Sequence, residues 1–275
     1  MKTNFRFFAL SLLSIQALAT SSSAAPGPVV LDFDFSRGHD HEFVALFRDL
    51  PTSILDEYTR RKMQGISLGP VAPLERGAGE YPEDHSHWLL NSGIFPLPDR
   101  LPGYGFLVQG TNRSDDLDYG LGKLLDRSHG LEPNTEYIAT FKVDIGGNAG
   151  GGGIGAGGGQ TINLAAVMTN VDPNKYVVAQ GYAKWPREIL QQLYNAPGIG
   201  SNVVCTVGMP MPGMKRCPAG RIPFQVRRGF ESKPLRFRTD AKGEAWLVIA
   251  GHSGYEAFAA FYFTRVQVKL RRAAQ

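Results

Sequence analysis

GLEPNTEYIATFKVD, Gly130–Asp144, is the stretch that decides the fold. Pro133 and Asn134 are turn formers. Behind them Tyr137, Ala139, Phe141 and Val143 alternate with Ile138, Thr140, Lys142 and Asp144, the period of two that a half-buried strand requires. Working outward, TDAKGEAWLVIAGHSGYEAFAAFYFTRVQVKL, Thr239–Leu270, supplies two more strand-like runs, Ala245–Ala250 and Ala257–Leu270, joined by a turn of Gly and Ser. Val29–Phe35 reads as a first strand with Leu31, Phe33 and Phe35 on one face and Asp32 and Asp34 on the other. Gly105–Gln109 and Leu117–Leu125 read as strands on either side of the polar turn TNRSDD, the second with Leu117, Tyr119, Leu121 and Lys123 at alternate positions.

Helical signals are few. Thr52–Gln64 fits a short helix capped by Thr52 or Ser53 and ended by Gly65, and Arg187–Asn195 fits one or two turns. The expectation is therefore an all-β protein, an antiparallel β-sandwich with long loops and one or two short helices. It forms one domain over residues 25–275 with insertions around 40–100 and 146–220.

The first residues carry a targeting pattern. Lys2 and Arg6 precede an apolar run, Phe7–Ala19, and small residues follow at Ser21–Ala25. That is the order of a secretory signal peptide, with cleavage expected near Ala24 and residues 1–24 removed. No segment approaches the roughly 18 uninterrupted apolar residues of a membrane span, so a periplasmic or extracellular protein is expected. In that compartment Cys205 and Cys217, with 11 residues between them, are expected to form a disulfide. Closing such a loop removes about 3 kcal/mol of unfolded-chain entropy.

Formal charge is +4 over the whole chain. Its distribution says more than its sum. Between Lys215 and Arg238 stand Lys215, Arg216, Arg221, Arg227, Arg228, Lys233, Arg236 and Arg238 against the single acid Glu231. A run of that kind is either a solvated hairpin or a surface for a polyanion such as an acidic polysaccharide or an envelope polymer, and Arg227, Arg228, Arg236 and Arg238 are its candidate contacts. Nothing in it specifies a nucleic acid.

Two H-x-H pairs, His39 with His41 and His85 with His87, lie beside carboxylates. On a strand each pair would share a face and offer two imidazoles to one metal ion, and Met209, Met211 and Met214 add thioethers that suit Cu(I). Catalytic signals are thinner. Ser253 in GHSGY lies between strand-like runs and not at a strand-to-helix elbow, and adjacent Asp115 and Asp116 would face opposite ways on a strand. Carboxylates from distant segments could still meet as a glycosidase pair. The run GGNAGGGGIGAGGG, residues 146–159, lacks the Lys-Ser or Lys-Thr of a phosphate loop and reads as a connection.

LDFDFSRG, GLEPNTEYIATFKVD and FYFTRVQVKL resemble the first, central and last strands of galactose-binding-like jelly rolls, the fold of many carbohydrate-binding modules. GYGFLVQGTNRSDDLDYGLGKLLD, Gly103–Asp126, together with Thr239–Leu270, is also similar to a group of secreted bacterial proteins. The resemblance implies a two-sheet sandwich that presents a surface to glycans. It implies stacking aromatics, for which Trp88, Tyr104, Tyr119, Tyr182, Trp185 and Tyr255 are the candidates. It also implies a structural calcium, but Ser36 and Thr264 or Arg265 stand where its acidic ligands would be. No organic cofactor is expected, and Ca, Cu and Zn are the metals in question. The leading expectation is an exported, non-catalytic binder of carbohydrate or envelope polymer. A secreted polysaccharide hydrolase or lyase and a periplasmic Cu/Zn-binding protein are the alternatives.

Overall fold

The computed structural model describes residues 27–66, 90–111, 117–147, 154–155, 163–196, 198–201, 224–253, 255–256 and 258–274. Two antiparallel sheets face each other. The larger contains, in order, β13 (Gln225–Glu231), β7 (Glu136–Gly147), β17 (Phe258–Arg272), β5 (Tyr104–Thr111) and β4 (Leu90–Pro96). β1 (Val29–Asp34) shares an edge of β17 with β5, and β14 (Leu235–Arg238) shares an edge of β7 with β13. The smaller runs β12 (Gly198–Ser201), β9 (Asn163–Thr169), β15 (Ala245–Ser253), β6 (Leu117–Leu125), β2 (Val44–Arg48). A side ribbon joins β3 (Leu50–Pro51), β11 (Tyr182–Lys184) and β10 (Val177–Ala179), and β8 (Ile154–Gly155) pairs with β16 (Tyr255–Glu256).

The alternation read in the sequence sets the core. Tyr137, Ala139, Phe141, Val143 and Ile145 of β7 point inward with Val266, Val268 and Leu270 of β17, against Leu117, Tyr119 and Leu121 of β6 and Leu247 and Ile249 of β15. All are buried, and each large side chain taken from water contributes about 1.5–3 kcal/mol. Lys123 follows the same inward period. Its ammonium ends over the Phe33 and Phe43 rings and donates to the His41 carbonyl at 2.7 Å and to Glu42 Oε2 at 3.1 Å, so the charge is met at the rim of the core.

The other face of the smaller sheet is also covered. Leu46, Val167, Val248 and Ala250 form a second apolar cluster with Trp185 and Ile189. The covering element is α2 (Arg187–Asn195), whose Ile189, Leu190 and Leu193 face the sheet at helical spacing.

Three expectations change here. The stretch around 40–100 is not wholly an insertion, because β2 joins the smaller sheet and β4 the larger one. Likewise β9, inside residues 146–220, is an internal strand of the smaller sheet. Short strands bounded by Gly and Pro gave too few periods to be recognised. The helix α1 (Thr52–Met63) forms where expected, but Pro51 occupies its N-cap and no side chain caps it.

Candidate functional site

A groove of about 640 Å³ opens where an edge of each sheet comes together, between β9, α2 and β14. Among the described residues, the outer side of β9 beyond Ala165 has no strand partner and β14 pairs with β7 alone. Such edges are natural docking places for other groups. Here α2 lies over one of them. Its apolar face is spent on the smaller sheet, which turns Glu188, Gln191, Gln192 and Asn195 into a second stripe, at spacings of three and four, along the groove.

The opposite wall is β14. Strand alternation sends Leu235 and Phe237 inward and Arg236 and Arg238 outward. Phe237 stacks on Tyr137 with centroids 5.6 Å apart and planes at 22°, which anchors β14 to the core. Arg236 Nη1 donates to Glu136 Oε1 at 3.1 Å, and Arg238 Nε donates to the Asn134 carbonyl at 3.1 Å. Each guanidinium keeps further N–H groups for a ligand. Val167, Met168 and Thr169 line the floor and Asn170 the rim. The site thus combines two guanidinium groups, four carboxamides and one carboxylate over an apolar floor. That set donates and accepts hydrogen bonds in many directions, as a polyhydroxylated ligand requires.

The sequence candidates scatter. Arg236 and Arg238 line the groove. Arg228 is exposed but sits at the β13 bulge, and the Cα register pairs Arg227 with Ile145, seven residues along β7 from the Ile138 that pairs with Arg236. That separation is roughly 23 Å, so the basic run makes two clusters and not one patch. Tyr119 is fully buried between Phe47 and Phe261, its hydroxyl donating to the Gly110 carbonyl at 3.3 Å, and so offers no stacking face. Trp185 is buried under α2 with its ring against the Arg48 guanidinium, and it too is withdrawn from any ligand. Apolar strand neighbours claim both rings, a choice that composition alone does not reveal. Tyr104 is exposed beside Gly38, and Tyr182 is half-buried with Lys184 over its ring; neither lines the groove. Trp88, His85, His87, Cys205 and Cys217, the side chains of Tyr255 and Arg227, and Met209, Met211 and Met214 lie outside the described residues and side chains.

His39 and His41 lie in a turn and not on a strand. His41 and Glu42 have φ of 51° and 61°, the ring centroids of the two histidines are 6.1 Å apart, and His41 Nε2 is 3.0 Å from the Asp34 carbonyl. Among the described residues, no group of three or more His, Cys, Asp or Glu side chains is placed to hold a metal ion. Arg265, at one of the positions considered for a calcium ligand, instead donates from Nε to Asp32 Oδ1 at 2.8 Å and from Nη2 to Asp32 Oδ2.

Glu188, the three carboxamides of α2 and Asn170 were not singled out in the sequence. Spacings of 188, 191, 192 and 195 on a short helix do mark one stripe, but only the packing of α2 shows that it faces β14.

The fold so defined is an antiparallel two-sheet β-sandwich with a helix-covered edge groove. No protein-family model and no curated protein matches the chain. Among solved structures it is similar to the module TmCBM61 in complex with β-1,4-galactotriose, at 8% identity and a TM-score of 0.23, covering 68% of this chain and 90% of that one. A similar score, 0.24 at 12% identity, is reached by the enzymatically active domain of bacteriophage CBA120 tailspike protein 4, over 74% of this chain and 22% of that one. The CBM22-1–GH10 modules of Clostridium thermocellum endo-1,4-β-D-xylanase 10B, complexed with xylohexaose, give 0.23 at 11% identity over 69% of this chain and 27% of that one. All three are resemblances of low score.

Proposed function

We propose that the protein is a non-catalytic glycan-binding protein whose site is the β9–α2–β14 groove. The observation that carries this reading is the opposition of Gln191, Gln192 and Asn195 on α2 to Arg236 and Arg238 on β14 across an open groove. Carboxamides and guanidinium groups bind vicinal hydroxyls and ring oxygens directionally. Among the described residues the groove lining contains one carboxylate, Glu188, whereas glycoside hydrolysis uses two that flank the scissile bond. This supports binding over cleavage.

Retention of intact oligosaccharides on a glycan array tests the reading, with calorimetry on the best ligand. Gln192→Ala with Asn195→Ala is expected to weaken that ligand at least tenfold with unchanged melting temperature, because both side chains are exposed. Time-dependent release of shorter products, or full affinity in the double variant, would overturn it.

A further inference from the structure

The groove does not end at β14. The Cα register sets Arg236 of β14 opposite Ile138 of β7, and Ile138 opposite Arg271 of β17. All three lie in one transverse row, two strand spacings or about 10 Å from end to end. Two residues back along β17 stands Lys269, about 7 Å from Arg271, and Lys142 lies four residues from Ile138 on β7. Inward alternation of Tyr137, Ala139, Phe141, Val268 and Leu270 forces Lys142, Lys269 and Arg271 onto the outer face with Arg236 and Arg238, and all five are exposed.

Counter-charge is unevenly spread over this face. Glu136 pairs with Arg236, and Lys142 stands opposite Glu231 in the β13–β7 register and two residues from Asp144, while no ion pair among the described residues engages Lys269 or Arg271. The carboxylates of Asp32, Asp34 and Asp144 gather at the opposite end of the same face, where Arg265 serves them. The end of the outer face that carries Arg236, Arg238, Lys269 and Arg271 is thus cationic, and it is continuous with the groove through β14.

We propose that this face selects an anionic polysaccharide, one bearing uronate or sulfate groups, with part of the chain seated in the groove and its continuation laid across β14, β7 and β17. The inference rests on the glycan-binding reading of the groove and adds its substrate class. A single small anion would be satisfied by Arg236 and Arg238 alone. Four exposed cations, Arg236 and Arg238 on β14 and Lys269 and Arg271 on β17 with β7 between them, instead suit repeated charges on one extended chain. An open sheet face also lacks the depth that would enclose a compact ligand.

The test uses oligogalacturonate, its fully methyl-esterified form, a heparin-derived octasaccharide, a neutral galactan oligosaccharide and single-stranded DNA of matched charge, each titrated between low and high salt. Oligogalacturonate or the heparin octasaccharide is expected to bind at least tenfold more tightly than the ester or the galactan at low salt. Lys269→Gln with Arg271→Gln is expected to make the log-log salt slope of that anion shallower by roughly two and to leave the melting temperature and neutral-glycan binding unchanged. Gln192→Ala with Asn195→Ala is expected to weaken every glycan without altering the slope. Equal binding of ester and acid, an unchanged slope in Lys269→Gln/Arg271→Gln, or no binding of either anion overturns the anionic inference, and retained galactan binding would then leave the glycan reading standing. DNA bound as tightly as either polysaccharide overturns it in favour of a nucleic acid.

Discussion

Arg265, near the middle of the last strand, holds Asp32 of the first strand in a two-pronged grip, Nε to Oδ1 at 2.8 Å and Nη2 to Oδ2. The Cα register pairs Asp32 with Gln267 and Arg265 with Asp34, so the bond runs diagonally and ties β1 to β17 beyond their ladder. The hydrogen bond from Arg265 holds the Asp32 carboxyl below its ordinary range, and one from Ser36 does the same for Asp34.

Acid should therefore loosen the fold from this edge. A carboxylate whose folded pKa is depressed contributes stability that is complete above its unfolded pKa, about 4, and is lost as pH falls through the folded value. Asp126, held at about 2 by hydrogen bonds from Ser128 and His129, extends the window to that pH. Denaturant midpoints are expected to be flat from pH 7 to about 5 and to fall below about 4. Asp32→Asn should cost only about 0.5 kcal/mol at pH 7, because the pair is 44% and 38% exposed. The same variant should flatten the acid limb, and an unchanged acid limb in Asp32→Asn would remove Asp32 from the account.

Arg48 makes a harsher prediction. It is buried, and its guanidinium donates to the Phe47 carbonyl at 2.6 Å, to the Pro173 carbonyl and, at 3.4 Å, to the Lys175 carbonyl, between the rings of Tyr176 and Trp185. Burial brings its pKa down to about 10. Removal leaves carbonyls without donors and a void beside Trp185, so Arg48→Ala is expected to destabilise by about 3 kcal/mol in urea unfolding. Lysine, a point charge without the planar fork, should recover less than half of that.

Gly120 faces Ala250 in the β6–β15 ladder, and a Cβ there would stand 2.7 Å from the Ile249 carbonyl oxygen and 3.1 Å from Ala250 Cβ. Those atoms are backbone or rigidly attached to it, so the strands themselves must part. Gly120→Ala is expected to cost about 1–3 kcal/mol and to lower the thermal midpoint. Gly181→Ala, whose added Cβ meets nothing within 4 Å, is the strain control: its φ of 82° makes it costly by backbone geometry alone.

Phe237 links stability to the site. It is 8% exposed and its ring against Tyr137 fixes the strand that carries Arg236 and Arg238. Phe237→Ala should cost about 3 kcal/mol and weaken glycan binding even at temperatures where the protein remains folded. Phe237→Leu, nearer in volume, should lose less of both, and a parallel loss in calorimetry and unfolding would connect β14 packing to the groove.

Much of the sandwich was legible in advance because burial of alternate residues is a local pattern. Tyr137 to Ile145 and Val266 to Leu270 announce their inward faces within a few residues, and even Lys123 obeys the period that Leu117, Tyr119 and Leu121 set. β2, β4 and β9 are not legible in this way, because five to seven residues among Gly, Pro and polar turns carry too few periods to be distinguished from loop.

Tyr119 and Trp185 are hidden from a sequence reading for a related reason. A tyrosine or tryptophan is amphipathic, and Tyr119 and Trp185 differ from a surface platform only in what lies over them. That cover comes from segments distant in the chain.

The sequence alone determined that this chain forms strands, which side of each strand is apolar, and that basic residues crowd one stretch. Only the tertiary structure decided that Arg236 meets the carboxamides of α2 across one edge and shares a row with Arg271 across the other, while Arg227 lies far along β7. Periodicity is a property of neighbours along the chain. Register is set by packing between residues more than a hundred positions apart, as Ile138 and Arg271 are, and no local pattern carries it.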